Sequence, residues 1–154
     1  MTATVQVSPS SVFVVSGGAK GITAQCTIKL AQQQPCKFIL LGRSQISPEP
    51  EYVRDCLEDS ALKKRIMENL ISQGEKPTPM MVQKIFNQIN SSREIKKTLA
   101  AIEAAGGTAE YISVDVTDTI NLKAKLAEIS DQVGQITGII HGAGNLADKL
   151  IEKK

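Results

Sequence analysis

"VVSGGAKGITAQC", Val14 to Cys26, decides the fold. A β-branched run enters a cluster of glycines, and the chain leaves it as a segment with helical spacing. A strand, a glycine turn and a helix N-terminus together make an anion site. The first N–H groups of a helix have no partner within it, and its dipole favours negative charge there. Gly17 suits the tight turn and Gly21 lets backbone approach a pyrophosphate. Thr23 stands where a third glycine is usual, so the helix is expected to sit slightly further out, with binding retained.

Outward from this stretch, "VFVVS" (Val12–Ser16) is a continuous apolar run of the kind buried on both faces of a parallel sheet. The helix that follows is expected from Ile22 to Gln33, with Ile22, Cys26, Leu30 and Ile28 as its apolar residues, and Pro35 ends it. "KFILLG" reads as a second buried strand, "AEYISVDV" as a third and "QITGIIHGAG" as a fourth. Asp118 to Val133 reads as a helix with Leu122, Leu126 and Ile129 on one face. Strands alternating with helices imply an α/β fold: a Rossmann-like, doubly wound parallel sheet of about four strands in the order 3-2-1-4. "ITGIIHG", Ile136–Gly142, would then form an apolar edge without proline or charge.

Residues 45–92 exceed what a strand-to-helix connection needs and read as a helical insertion. Leu62, Ile66 and Leu70 form one stripe, ending near Gly74. Thr78-Pro79 is an N-cap with proline in the first turn, and Val82, Ile85, Phe86 and Ile89 continue at helical spacing. Ser91-x-x-Glu94 reads as a capping box opening the crossover helix, whose stripe is Ile95, Leu99 and Ile102. Two inserted helices before that crossover helix are therefore expected. Gly106-Gly107 suits its C-terminal cap.

The 154 residues suit one domain, expected over 12–154 behind a flexible lead-in at 1–11. A net charge of +2 without a basic cluster argues against a nucleic-acid partner. No apolar run is long enough for a membrane span, and "MTATVQVSPS" lacks the features of a signal peptide. Three cysteines without close pairing fit reduced thiols, so a cytoplasmic protein is expected.

The second strand ends Leu41-Gly42-Arg43-Ser44, where an NAD site usually carries an acid. Arg43 instead suits a ribose 2′-phosphate, with Ser44 as a further hydrogen-bonding group, so NADP (NADPH) is the expected cofactor.

"SGGAKGIT", "LLGRS", "YISVDVTD" and "IIHGAGNLADKLI" together resemble the ketoreductase domains of polyketide and polyunsaturated-fatty-acid synthases, in the short-chain dehydrogenase/reductase superfamily. The resemblance runs from Val12 onward and includes the insertion. It implies that Gly17, Gly18, Lys20, Gly21 and Ile22 belong to the phosphate loop, and that Arg43 and Ser44 contact the 2′-phosphate. Asp115 and Val116 would hold the adenine edge, and Gly142, Ala143 and Gly144 would line the cofactor. His141 takes a place often held by asparagine, and its expected role is that of a satisfied strand-end histidine.

The resemblance also implies hydride delivery to a carbonyl, aided by a serine and a Tyr-x-x-x-Lys pair lying beyond the fourth strand. Tyr52 and Tyr111 are followed four residues later by Cys56 and Asp115, so no catalytic residue is assigned. The expectation is the NADP(H)-binding portion of a reductase of β-ketoacyl thioesters on an acyl carrier protein. A second polypeptide or a downstream segment would complete it. The alternatives are a non-catalytic nucleotide-binding or docking module, or a remnant of a synthase gene without function.

Overall fold

The computed structural model describes residues 6–144. The first five residues of the lead-in and the segment 145–154 lie outside the described residues. From Ser8 onward the lead-in is a hydrogen-bonded turn, with Ser11 N–H donating to the Ser8 carbonyl at 2.9 Å, and Val7 packs against the core.

Four parallel strands form the sheet: β1 (Val12–Ser16), β2 (Lys37–Gly42), β3 (Thr108–Ser113) and β4 (Gly138–His141), in the order β3-β2-β1-β4. The doubly wound order read from the sequence is therefore the one observed. Val14 stands opposite Ile39 on one side and Ile139 on the other. β1 and β2 are buried almost throughout, whereas β3 and β4 alternate between covered and open positions. The outer strands are thus less buried than their apolar runs suggest. Ile139 on β4 is 76% exposed. Among the described residues no strand pairs with the outer side of β4.

Helices α1 (Gly21–Gln33) and α3 (Pro79–Ala104) cover one face, enclosing Val15, Phe38, Leu40, Ile95 and Ile102. Helix α4 (Thr119–Val133) covers the other, over Val12, Val14, Ile39, Leu41 and Ile129. The inward side of α1 differs from expectation. Ala24, Thr27 and Ala31 are buried, while Ile22 is 84% exposed and Cys26 also faces out. Small residues fill the seam where α1 packs against α3. Gln34, the residue before Pro35, is extended and ends the helix.

The insertion corrects a second expectation. Beyond a single 3-10 turn (Glu51–Val53), it holds one separate helix, α2 (Asp59–Ser72). The expected second inserted helix and the crossover helix are one continuous element, the 26-residue α3. Thr78 caps its start through the Met81 N–H, with Pro79 in the first turn as the sequence implies. At its end Gly107 and Gly106 N–H groups return to the Ile102 and Glu103 carbonyls, closing a Schellman cap. The helix does not break at Ser91-Ser92 because those hydroxyls bond to other segments instead of capping. Ser92 Oγ accepts from Ser47 N–H at 3.1 Å and donates to the Gln45 carbonyl at 3.4 Å.

α2, the 3-10 turn and the first half of α3 share a core of their own, with Val53, Leu62, Ile66, Val82, Phe86 and Ile89 buried. Arg93 ties it down: its guanidinium pairs with Glu49 and donates to the Val53 and Cys56 carbonyls. Since α3 runs through this core and the sheet core alike, the two are expected to unfold as one cooperative unit. Ile66→Ala removes a fully buried side chain and is expected to lower stability by about 2–5 kcal/mol. Coincident denaturation curves from circular dichroism and from a probe on the sheet would support this. A separate early transition would show that the insertion melts alone.

Candidate nucleotide-binding site

Because all strands are parallel, their C-terminal ends share one edge, and three backbone hydrogen bonds carry the ladder beyond the strands. Gly17 N–H donates to Leu41 O at 2.8 Å, Gly142 N–H to Ser16 O at 2.9 Å and Val114 N–H to Gly42 O at 2.8 Å. The sheet thus brings together Gly17 to Ile22, Arg43-Ser44, Asp115-Val116 and Gly142 to Gly144, which the sequence had placed on four separate loops. Ligand crevices in open α/β sheets form at this edge.

Gly17 has φ +67°, and a Cβ there would stand 2.8 Å from the Gly142 carbonyl oxygen. A side chain is excluded on both counts. Thr23 fits without the third glycine because it faces Gly142: a Cβ on Gly142 would overlap the Thr23 Oγ1 and Cγ2 atoms. That missing Cβ gives the Thr23 side chain its room, and α1 buries Ala24 and Thr27.

The turn after β2 is held from β3. The Tyr111 hydroxyl donates to the Ser44 carbonyl at 2.5 Å, and Ser113 Oγ donates to the Arg43 carbonyl at 3.3 Å. These contacts leave the Arg43 side chain exposed and its backbone fixed. Neither supporting residue was found among the site residues read from the sequence. The signal available was a polar-tipped aromatic two positions before the residue opposite Gly42 in the β2–β3 register.

Lys20 Nζ donates to Ser44 Oγ at 3.0 Å and to Ser91 Oγ at 3.1 Å. No carboxylate lies within ion-pair distance of it among the described residues. Asp115 closes its own loop, accepting from the Thr117 hydroxyl at 2.7 Å and the Thr117 N–H at 2.9 Å. Those two bonds hold its carboxyl below the ordinary carboxylate value, with a smaller contribution from the charge of Arg43. Val116 is partly buried beside it, whereas the Ile22 side chain points to solvent.

His141 Nδ1 lies 2.6 Å from Ser16 Oγ, which also accepts from Ala143 N–H at 3.4 Å. A serine hydroxyl both donates and accepts, so this contact serves either tautomer of the imidazole. The histidine is satisfied at a strand end, as expected. Gly142 and Gly144 are exposed beside it and Ala143 is half-buried.

Two outcomes follow from this geometry. Gly17→Ala is expected to lower the melting temperature more than Gly21→Ala. Both need left-handed backbone, at about 1–2 kcal/mol for a side chain, but a Cβ at Gly21 meets nothing within 4 Å. Equal losses in thermal melts would show that the Gly142 loop yields freely. The second outcome concerns pH. Burial raises the Tyr111 phenol above its ordinary 10.0, so the fold favours the neutral, donating form. That stabilisation is complete below the unfolded value and disappears as pH rises through the raised folded value. Between neutrality and about pH 11, Tyr111→Phe should therefore lose less stability than the wild type. Parallel loss in both proteins would assign the alkaline change to other groups.

The sequence matches the model of the KR domain over residues 11–154. It is 40% identical to a polyunsaturated fatty acid synthase polypeptide of Thraustochytrium sp., over 97% of this chain and 6% of that protein. The chain thus spans a small fraction of the length of this curated relative. Among solved structures, the N-terminal ketoreductase from the macrolactin assembly line superposes with a TM-score of 0.60 at 24% identity, covering 100% of this chain and 22% of that one. A putative dehydrogenase from Burkholderia cenocepacia with bound NADP superposes with a TM-score of 0.55 at 16% identity, over 91% of this chain and 36% of that one. Likeness at these identities shows a shared fold. The family match over nearly the whole sequence shows more: this chain belongs to the KR domain family, in keeping with its likeness to a polyunsaturated fatty acid synthase polypeptide.

Proposed function

We propose that this chain is the NADP(H)-binding portion of a ketoreductase that reduces β-ketoacyl thioesters carried on an acyl carrier protein. The observation that carries the reading is the pair of cations at the end of β2. Arg43 is exposed on a turn held from β3, and the Lys20 ammonium stands beside Ser44, held by neutral hydroxyls. A ribose 2′-phosphate suits this arrangement, and no acid stands at the strand end to select the free hydroxyl. Gly17, Gly18, Lys20, Gly21 and Ile22 would follow the pyrophosphate, Asp115 and Val116 the adenine, and Gly142 to Gly144 the inner part of the dinucleotide. Gly18 has its own packing reason as well, since a Cβ there would strike the Val15 side chain.

The dinucleotide would supply hydride to the substrate carbonyl. Proton delivery falls to residues outside this chain. The Tyr111 phenol is engaged by Ser44 on the β3 side, and Tyr52 lies in the insertion core. The isolated chain is accordingly proposed to bind the cofactor without turning over ketones.

NADPH is expected to bind more tightly than NADH. Arg43→Ala should weaken NADPH by about one to two decades, the value of one charge-assisted contact, and leave NADH nearly unchanged. Calorimetric titration of both proteins with both cofactors checks this. Equal affinity of the wild type for the two cofactors would overturn the assignment of NADP.

A further inference from the structure

Ser91-x-x-Glu94, the motif that reads as a capping box, caps a different helix. Glu94 lies mid-way along α3, and its Oε1 accepts from the Gly21 N–H at 2.9 Å. Gly21 is the first residue of α1, and the N-cap residue Lys20 offers that helix no side-chain cap of its own. One turn earlier on the same side of α3, Ser91 Oγ accepts from Lys20 Nζ at 3.1 Å. One turn later the Thr98 hydroxyl, buried, donates to the Ala19 carbonyl at 2.8 Å. Three successive residues of the glycine loop are therefore held by three residues of α3.

The Glu94 contact differs in kind from the other two. Ser91 and Thr98 are neutral: Thr98 engages a carbonyl that no phosphate would bind, and Ser91 leaves the Lys20 ammonium its charge. Glu94 puts a negative charge on an N–H of the turn where the phosphates are proposed to sit. It is exposed and makes no ion pair among the described residues. Two anions cannot share one N–H, and their mutual repulsion is weakly screened at contact distance.

Resting on the proposed nucleotide reading, we infer that Glu94 is a resident carboxylate in the phosphate site. It caps α1 when the site is empty and must swing away for the dinucleotide to bind, which sets the affinity of the site for phosphate. The insertion gains a role by this route, because the continuous α3 fixes Glu94 to the same helix that carries its core. Arg93, the next residue back, locks that position of the helix to Glu49 and to the Val53 and Cys56 carbonyls.

Glu94→Gln separates this from a structural role, since the amide still accepts the Gly21 N–H but carries no charge. NADPH titrations would compare the whole 154-residue wild type with Glu94→Gln, with Glu94→Ala, and with Glu103→Gln as a control for net charge on the exposed end of α3. Glu94→Gln is expected to bind NADPH about three- to tenfold more tightly, while melting at a lower temperature in the absence of nucleotide. Glu94→Ala should move both readouts in the same directions, and Glu103→Gln should move neither. A purely structural Glu94 would lower the melting temperature and leave affinity unchanged or weaker, and that outcome overturns the inference alone. Wild type and variants that all fail to bind NADPH would overturn the nucleotide reading, and this inference with it.

Discussion

Everything at the candidate site depends on β1 lying between β2 and β4 in parallel register. Ser16 stands opposite Leu41 on one side and His141 on the other, so three strands end at the same level. The hydrogen bonds that leave the sheet at Gly17, Val114 and Gly142 are continuations of its ladder. Loops fixed this way need little packing of their own. That is why the edge can be built from glycine, serine and alanine and still present its N–H groups in a defined arrangement. In a parallel sheet with helices on both faces, the C-terminal edge of the strands is where a ligand crevice forms.

The second organising element is α3, which joins two cores that share no other long element. Its first half closes the insertion with Val82, Phe86 and Ile89, and its second half packs the sheet with Ile95 and Ile102. Between them stands Ser91-Ser92-Arg93-Glu94, where each residue reaches a different part of the chain: Lys20, the Gln45–Ser47 segment, the Glu49–Cys56 segment and Gly21. Ser91 and Ser92 cost some helix propensity in mid-helix. Each recovers it through a bond far away in sequence.

Much of the fold was legible in the sequence because its signals are local. The apolar runs of β1 and β2, the Thr78-Pro79 start, the Gly106-Gly107 stop and the α4 stripe all express backbone geometry within a few residues. What was not legible depended on distant partners. Ser91 and Glu94 match a capping box by spacing, and only the presence of Lys20 and Gly21 across the interface diverts them. Ile22 and Cys26 fit a helical stripe, but the tight seam of α1 selects the neighbouring Ala24 and Thr27. For the site, the glycine loop and Arg43-Ser44 were readable as loop chemistry. The supports from Tyr111, Ser113 and Thr98 were not, because their roles arise from register and crossing helices.

The contact between Thr23 and Gly142 has a historical side. One loop carries a side chain where glycine is usual, and the facing loop lacks the Cβ that would collide with it. Neither position is free to drift alone. A lineage that put alanine at 142 while keeping threonine at 23 would have to force the two loops apart. A lineage that first reduced position 23 to glycine could then accept alanine at 142. The order of substitutions is thereby constrained, and the two positions, far apart in sequence, should change together wherever the family varies at either.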